Sequence, residues 1–585
     1  MIVDIAGHRV ILNDLPATLR ALDGDRLVAF DIETTGLSPW RDNIALVQLY
    51  GDDSSSAAVL QTPNGIPPEL REFMESDREF IAHNGVAFDM LFLGTHGVDF
   101  TRARWYDTLV GETLINTTAR RDVRKSLQAS VRRRLGMHVD KDIEHSHWGR
   151  PELTAEQLEY AVGDVVHLPA LRRAQREKAD ETKQTGALEM EMQLVPIISQ
   201  MIFNGMPIDV GALNAYLMVA AEKRAAAEPH LMEHLGQINL RSSTVVIKSL
   251  VAAGVELPTS RRKRASGQWV DAPTADHDAL AIIAQHEGLA GQLAQWLLDW
   301  RAPDQRLKVY DEAWVEEHVD NGRVHARYWQ CGTDTTRLTS SEPNFQQWPR
   351  DMRTVIGNEP GSLVGSADYS QIEVCIAAAI AEDEALLGML NSEDIHLAIA
   401  SLVFMLPPEQ ITKEQRRLAK ACVFTLLFGG GAMGIYRYAR NEGSPITQEE
   451  AMAVMAQFLS LFPGVKRMRA KAEATCRRRN AVAVTLPNGA RRVLAGAKNR
   501  STVLLNTMVQ GSAAVGIKLS MLEAGRRGLS KYLSAQIHDE LVVVAPEAEA
   551  QDALDELCDS MRWGMNEIFP GMPVKVDPAL GRTWS

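Results

Sequence analysis

Six carboxylates fall into two groups along this 585-residue chain: Asp31, Glu33, Asp89 and Asp164 lie in the first third, and Asp368 and Asp539 in the last. Carboxylates gathered in such sets hold paired divalent cations, which steady the attacking and leaving oxygens of an in-line phosphoryl displacement. Between the last two lies a helical pattern in which Arg416, Lys420, Phe424 and Phe428 recur every four residues, so all four share one slowly drifting face. Two cations followed by two aromatic rings suit a nucleoside triphosphate, with cations for the phosphates and rings for the base. The same stripe also reads as the aromatic edge of a packed helix.

Each of these residues needs an element to aim it. Asp31 and Glu33 end the apolar run LVAFDIETTGL, where strand alternation turns both carboxylates to one face, and IALVQLY reads as the next strand. Asp89 follows the short strand EFIAHN, with Asn84 five positions ahead of it. Tyr160 and Asp164 are spaced i, i+4 on a predicted helix and share its face. Asp368 ends the apolar strand of LVGSADYSQIE (363–373), and SAQIHDELVVVAP (534–546) reads as a hairpin with His538, Asp539 and Glu540 at its turn. Asp368 and Asp539 are 171 positions apart (539 − 368), so only a tertiary fold can join them. Residues 104–180 read as mainly helical, and the polar run closing on Gly186 marks a domain boundary. A new amphipathic helix over 188–203 closes at Asn204-Gly205, while the Ser, Thr, Pro and Arg-rich stretch 258–275 predicts a mobile basic loop.

Composition narrows the class. The length implies several domains, and 45% hydrophobic residues supply several cores. No apolar run approaches the roughly 18 residues of a membrane helix, and the first residues carry no leader pattern, so a cytoplasmic protein is expected. Five cysteines (Cys331, Cys375, Cys422, Cys476, Cys558) form no CxxC pair, which argues against a cysteine zinc site and fits a reducing compartment. A net charge of −13 does not exclude nucleic acid, because phosphate binding needs local basic surface. Arg132–Arg134, the RRKR of Arg261–Arg264 and Arg477–Arg479 are such clusters, each of which also reads as an ordinary solvated face.

The ordered trio DIETTGL, HNGVAFD and YAVGD resembles the DEDD exonucleases of the tyrosine-containing branch, and the intervening DKDIEHSHWGRPELTAEQ extends the likeness over roughly 25–175. That resemblance implies a ribonuclease H-like domain (1–180) cleaving 3′ to 5′. Asp31, Glu33, Asp89 and Asp164 would hold two divalent metals, and Tyr160 would orient the attacking water.

DYSQIE, then RxxxKxxxFxxxFG, then HDE closely resembles the three motifs of family A DNA polymerases, the large fragment of bacterial DNA polymerase I being the nearest model. The segments 322–349, FPGV, TLPNGARR and NTMVQGSAA add to a likeness covering 188–585. The implied architecture is multidomain α/β and α+β: a helical thumb (188–310), palm (311–395), fingers (396–480) and the rest of the palm (481–585). By the same resemblance Asp368, Asp539 and the Tyr369 carbonyl hold two Mg²⁺, with Mn²⁺ possible. Arg416 and Lys420 contact the triphosphate, and Lys420 is placed to protonate pyrophosphate. Gln371, Glu373, Phe424, Phe428 and His538 line the nucleotide site, Glu373 and Phe424 forming the gate against a ribose 2′-hydroxyl. A phenylalanine at 424 implies discrimination against dideoxynucleotides. Arg337, Asn506 and Gln510 read the minor groove, whose acceptors recur in every correct pair, and His538 and Glu540 flank the primer terminus and the metal site.

Four residues depart from the pattern: Cys375 stands for a usual arginine, Phe428 for tyrosine, Val423 for a frequent asparagine and Thr502 for a frequent arginine. An acid that would have paired with the arginine at 375 is expected to be absent or otherwise satisfied. A 5′-nuclease region is not expected before residue 25, which resembles phage replicative enzymes and some bacterial bifunctional ones. The expected partners are primer-template DNA and dNTPs, with a monomeric protein away from membranes. The competing expectation is a DNA exonuclease whose polymerase half serves only to hold DNA.

Overall fold

The computed structural model describes residues 1–116, 126–139, 148–263, 267–392, 394–441, 446–498 and 500–584. The segment DKDIEHSH of the exonuclease likeness and Arg264 of the RRKR cluster lie outside these residues.

The N-terminal unit is built on seven strands: β1 (Ile2–Ile5), β2 (His8–Leu12), β3 (Leu27–Thr34), β4 (Ile44–Gly51), β5 (Ala57–Gln61), β6 (Glu79–Ala82) and β7 (Arg104–Asp107). Their order is β1-β2-β5-β4-β3-β6-β7, with β3 antiparallel to β4 and parallel to β6. Val28, Ala29 and Phe30 make β3 fully buried up to its last turn, where Ile32 stays inside while Asp31 and Glu33 face outward. Phe30, Phe80 and Trp105 pack edge-on and tilted across β3, β6 and β7, which fixes the spacing of those strands. The stretch from 104 opens with β7 before turning helical.

The helix Thr185–Asn204 starts one residue ahead of Gly186, so that glycine lies in its first turn and is not a linker. Its Glu191 is fully buried and ion-paired to the equally buried Lys518 of the helix Ser501–Arg526. Gln330 Nε2 donates both to the Glu191 side-chain Oε2 (2.8 Å) and to the Glu191 backbone carbonyl (2.9 Å). One charged pair thus ties the helix behind the exonuclease-like sheet to the C-terminal unit. The helix ends at Gly205 with φ 61°, where a Cβ would lie 2.6 Å from the His325 ring, so both conformation and space require glycine.

The helices Val210–Leu235 and Leu289–Val309 pack along each other around a separate core containing Leu231, Leu250, Leu297 and Trp300. The basic stretch expected to be a mobile loop is a hairpin: Thr259–Lys263 pairs antiparallel with Trp269–Pro273. Pairing satisfies the backbone donors that a free loop would leave to solvent.

The C-terminal sheet orders its strands Leu533–Ile537, Glu540–Pro546, Ser362–Tyr369 and Val576–Gly581, all antiparallel. The helices Ser501–Arg526 and Ala550–Ile568 back it. A Cβ on Gly564 would sit 2.6 Å from the Ser520 nitrogen, so these helices cross at backbone distance. Among the described residues, five α-helices from Ile395 to Arg478 form the remaining subdomain. Among them, Lys413–Leu427 begins with a Thr412/Gln415 capping box and ends earlier than the run to Gly431 suggested. Phe428 closes it and Gly429 takes φ 82°.

Candidate active sites

In the first site Asp31, Glu33 and Asp164 converge from β3 and the helix Ala155–Val166, with one ligand atom from each within 4.8 Å of the others. Asp89 opens the helix Asp89–Thr95 and is 3% exposed. Burial pushes its carboxyl up to about 7, and the negative charges of Asp107 and Asp164 add to the rise. All four predicted carboxylates therefore share one field, and a cation would relieve it. The all-oxygen donor set suits a hard divalent ion. Tyr160 sits one turn before Asp164 and packs against Trp148, with ring centroids 5.7 Å apart.

Sequence reasoning missed Asp107. Its carboxylate caps the helix Thr108–Ile115 by accepting from Leu109 (2.8 Å) and Val110 (3.2 Å). It also accepts from the backbone of Asn84 (3.1 Å) and Val86 (3.3 Å). One buried acid thus holds the turn that presents Asp89. An aspartate preceding the helical run TLVGETLI was the available cap signal.

In the second site, antiparallel pairing brings together what 171 positions separate (539 − 368): the Tyr369 N–H donates to the Asp539 carbonyl at 3.3 Å. Burial pushes the Asp368 carboxyl up to about 7, helped by Asp539, Glu540 and Asp577. The Asp539 carboxyl is also raised by burial, with Glu373 adding to it. Asp577 was not foreseen. It stands opposite Asp368 on the edge strand, a register that no motif announces. Two carboxylates whose charged forms disfavour one another again suit a divalent cation between them.

The cleft beside them, about 460 Å³, is lined by Arg337, Gln346, Tyr369, Glu373, His538 and Asp539 among others. Arg337 donates to Glu373 at 2.7 Å, which pairs the two residues within the cleft. The Tyr369 hydroxyl points away, to Ser520 (2.8 Å) and the Met561 carbonyl (2.6 Å), and anchors the strand. His538 takes φ 56° at the turn, and Gln371 takes φ 51° at the start of the helix Ile372–Ala381. Asn506 and Gln510 are half-buried on the helix Ser501–Arg526, ahead of the Ala513, Ala514 and Ile517 that line the cleft. Glu540 stands opposite Asp368 in the sheet and adds to its field. Arg353 (2.9 Å) and the Trp584 indole N–H (2.8 Å) hold its buried carboxylate. The Arg353 guanidinium also lies 3.8 Å over the Trp584 ring.

On the helix Lys413–Leu427, Arg416, Lys420 and Phe424 are half-buried while Leu418, Ala419, Cys422, Val423 and Leu426 face the core. The cation-aromatic stripe is therefore the partly open face, and Phe428 continues it at the cap. Arg416 Nε is 2.6 Å from Asp394 Oδ2. His396, also missed, lies 5.9 Å from Phe424 by ring centroid. Burial pushes its imidazole down to about 4, aided by the positive charges of Arg416 and Lys420. The buried Cys375 thiol is pushed up to about 11 by burial, and no acid contributes to that rise. The Lys575 ammonium opposes it and donates to the carbonyls of Asn391 (3.3 Å) and Ser392 (2.9 Å). Nothing in the structure explains Val423 or Thr502 at their positions.

Comparison with known proteins agrees with this geometry. A model of DNA polymerase family A matches residues 212–585, and a 3′-5′ exonuclease model matches residues 10–178. The chain is 28% identical over 600 residues to DNA polymerase I of Aquifex aeolicus, covering 98% of both chains. It is 26% identical to DNA polymerase I of Pseudomonas aeruginosa, covering 97% of this chain but only 64% of that one. With the Geobacillus stearothermophilus enzyme, 29% identity extends over 68% of this chain and 45% of the other. Among solved structures, the POL domain of Pol1 from M. smegmatis, in complex with DNA primer-template and dNTP, shares the fold. It matches with a TM-score of 0.80 at 23% identity, over 98% of this chain and 99% of that one. The chain belongs to DNA polymerase family A and carries a 3′-5′ exonuclease domain ahead of its polymerase region.

Proposed function

We propose that the protein extends a DNA primer on a template from dNTPs at Asp368 and Asp539, and removes 3′-terminal nucleotides at Asp31, Glu33, Asp89 and Asp164. One observation carries this reading: two separate carboxylate constellations occur in one chain, and the second adjoins a helix whose partly open face bears Arg416 and Lys420. Two Mg²⁺ at each site would supply Lewis acidity to the reacting oxygens, with Mn²⁺ as a substitute. Asp368 and Asp539 would bind them with the Tyr369 carbonyl. Arg416 and Lys420 would neutralise the triphosphate, and Lys420 would pass a proton to the departing pyrophosphate oxygen.

Glu373 and Phe424 would exclude a ribose 2′-hydroxyl, with Gln371, His538 and Phe428 bordering the nucleotide. Arg337, freed from Glu373, would join Asn506 and Gln510 along the minor groove of the primer end. At the upstream site Tyr160 would orient water by hydrogen bonding. The thumb, palm and fingers would divide as 188–310, 311–395 with 481–585, and 396–480. The enzyme would act as a monomer in the cytoplasm; among the described residues no helix is long and apolar enough to cross a membrane.

The test is extension of a labelled primer on a recessed template with Mg²⁺, with and without dNTPs. Wild type should lengthen the primer with dNTPs and shorten it without them. Asp539→Ala should lose only lengthening, and Asp31→Ala with Glu33→Ala only shortening. A wild type that only shortens the primer would make the C-terminal unit a DNA-holding module.

A further inference from the structure

We infer that Asp394 is a placeholder for nucleotide phosphate: it latches Arg416 between turnovers and must be displaced by the incoming triphosphate. The inference rests on the polymerase reading above and assigns a role to a residue outside DYSQIE, RxxxKxxxFxxxFG and HDE. Asp394 performs two separable tasks. Its Oδ1 accepts the Leu397 N–H at 3.0 Å and closes the N-terminus of the ten-residue helix Ile395–Phe404. Its Oδ2 takes Arg416 Nε at 2.6 Å.

A carboxylate sandwiched between a helix N-terminus and a guanidinium occupies the position that a phosphate oxygen would find favourable. A second observation points the same way. His396, in the first turn of that helix, is 6% exposed, and its buried Nδ1 has no hydrogen-bond partner. It lies in the field of Arg416, Lys420 and Asp394 and against Phe424. A guanidinium and a helix N-terminus thus hold one anion, next to a buried imidazole with an unsatisfied nitrogen, and the anion present belongs to the protein.

Displacement imposes a threshold on the ligand. A triphosphate brings enough charge to replace the carboxylate, whereas a ligand with fewer phosphates gains less from Arg416 against the same competitor. Once the α–β phosphoanhydride has broken, Asp394 returning to Arg416 competes with pyrophosphate and favours its release. The cap must be kept apart from the latch in any test, and asparagine does this, since it caps as well as aspartate but carries no charge.

The experiment measures single-turnover incorporation against dNTP concentration for wild type and Asp394→Asn, at low and high ionic strength. Because the pair is partly exposed, its loss should tighten apparent dNTP binding about threefold with little change in maximal rate. That gain should shrink at high salt, where the latch of the wild type is already screened. Inhibition by added pyrophosphate should strengthen by a similar factor. Asp394→Ser, a second cap-competent variant, should behave alike if asparagine folds poorly; thermal melting and dNTP-free primer shortening report folding. Asp394→Ala should show the same gain in affinity with a lower melting temperature. Unchanged or weakened dNTP binding in the cap-competent variants overturns the placeholder role while wild-type extension keeps the polymerase reading. A wild type that shortens primers but never extends them overturns both.

Discussion

The exonuclease and polymerase sites use the same carboxylate chemistry but are assembled differently. In the first, Asp31, Glu33 and Asp164 already converge, and Asp89 is buried beside them, anchored through the Asp107 cap. In the second, Asp368 lies at the end of its strand where the cleft opens, and Arg416 and Lys420 sit on another subdomain with Arg416 turned to Asp394. Hydrolysis needs only water and a strand end, so a preformed pocket suffices. Synthesis must admit a different nucleotide each cycle, so part of its site stays open until substrate completes it.

The sharpest break is removal of ligands. Asp539→Ala should cost extension about a thousandfold or more while leaving exonuclease rates within about twofold, and the Asp31→Ala, Glu33→Ala pair should do the reverse. Loss of both activities in either variant would mean the sites are not independent. Next in size is the buried pair between them. Lys518→Met leaves Glu191 charged and unpaired, which should cost about 3–5 kcal/mol, read by chemical denaturation, and lower both activities together.

The third prediction concerns protons. The Asp89 and Asp368 carboxyls are raised from 3.8 to about 7, so over that window the folded chain holds protons that the unfolded chain has released. The stability they contribute is full at acid pH and is lost as pH rises towards 7. Metal-free protein should therefore melt lower at about pH 8 than at about pH 6, and Asp89→Asn should flatten that slope. With limiting Mg²⁺ both activities should fall about tenfold from pH 8 to pH 6, since roughly a tenth of each carboxyl remains ionised there.

The smallest effect separates the sites through the fingers. Arg469 donates to the carbonyls of Leu426 (2.6 Å) and Gly430 (2.7 Å), gripping the end of the helix that carries the cation-aromatic stripe. Arg469→Gln should weaken dNTP affinity about three- to tenfold in primer extension, with exonuclease unchanged. An equal fall in both activities would make Arg469 a general fold determinant.

Much of this was legible in the chain. Strand alternation placed Asp31 and Glu33 on one face, i, i+4 spacing placed Tyr160 beside Asp164, and the apolar runs around Asp368 and Asp539 foretold strand and hairpin. These signals are local, because they follow from the period of the backbone and the cost of burying polar groups. The basic hairpin at 259–273 was misread as a loop because its composition resembles a turn, while its pairing depends on a partner strand. His396, Asp394 and Asp577 escaped notice because no motif marks them, and the cap signal at Asp107 says nothing of the turn it holds; only neighbours brought in by folding give them a role.

By itself the sequence determined the reaction class, the identity of the six candidate metal-binding carboxylates and the order of the units, since residue type sets chemistry and periodicity sets local direction. The tertiary structure alone decided that Asp368 meets Asp539, that Glu540 turns to Arg353 and Trp584, that Arg337 rests on Glu373, and that Arg416 waits on Asp394. Each of those depends on which distant surface arrives opposite a side chain, and contact at such separation is a property of packing rather than of spacing.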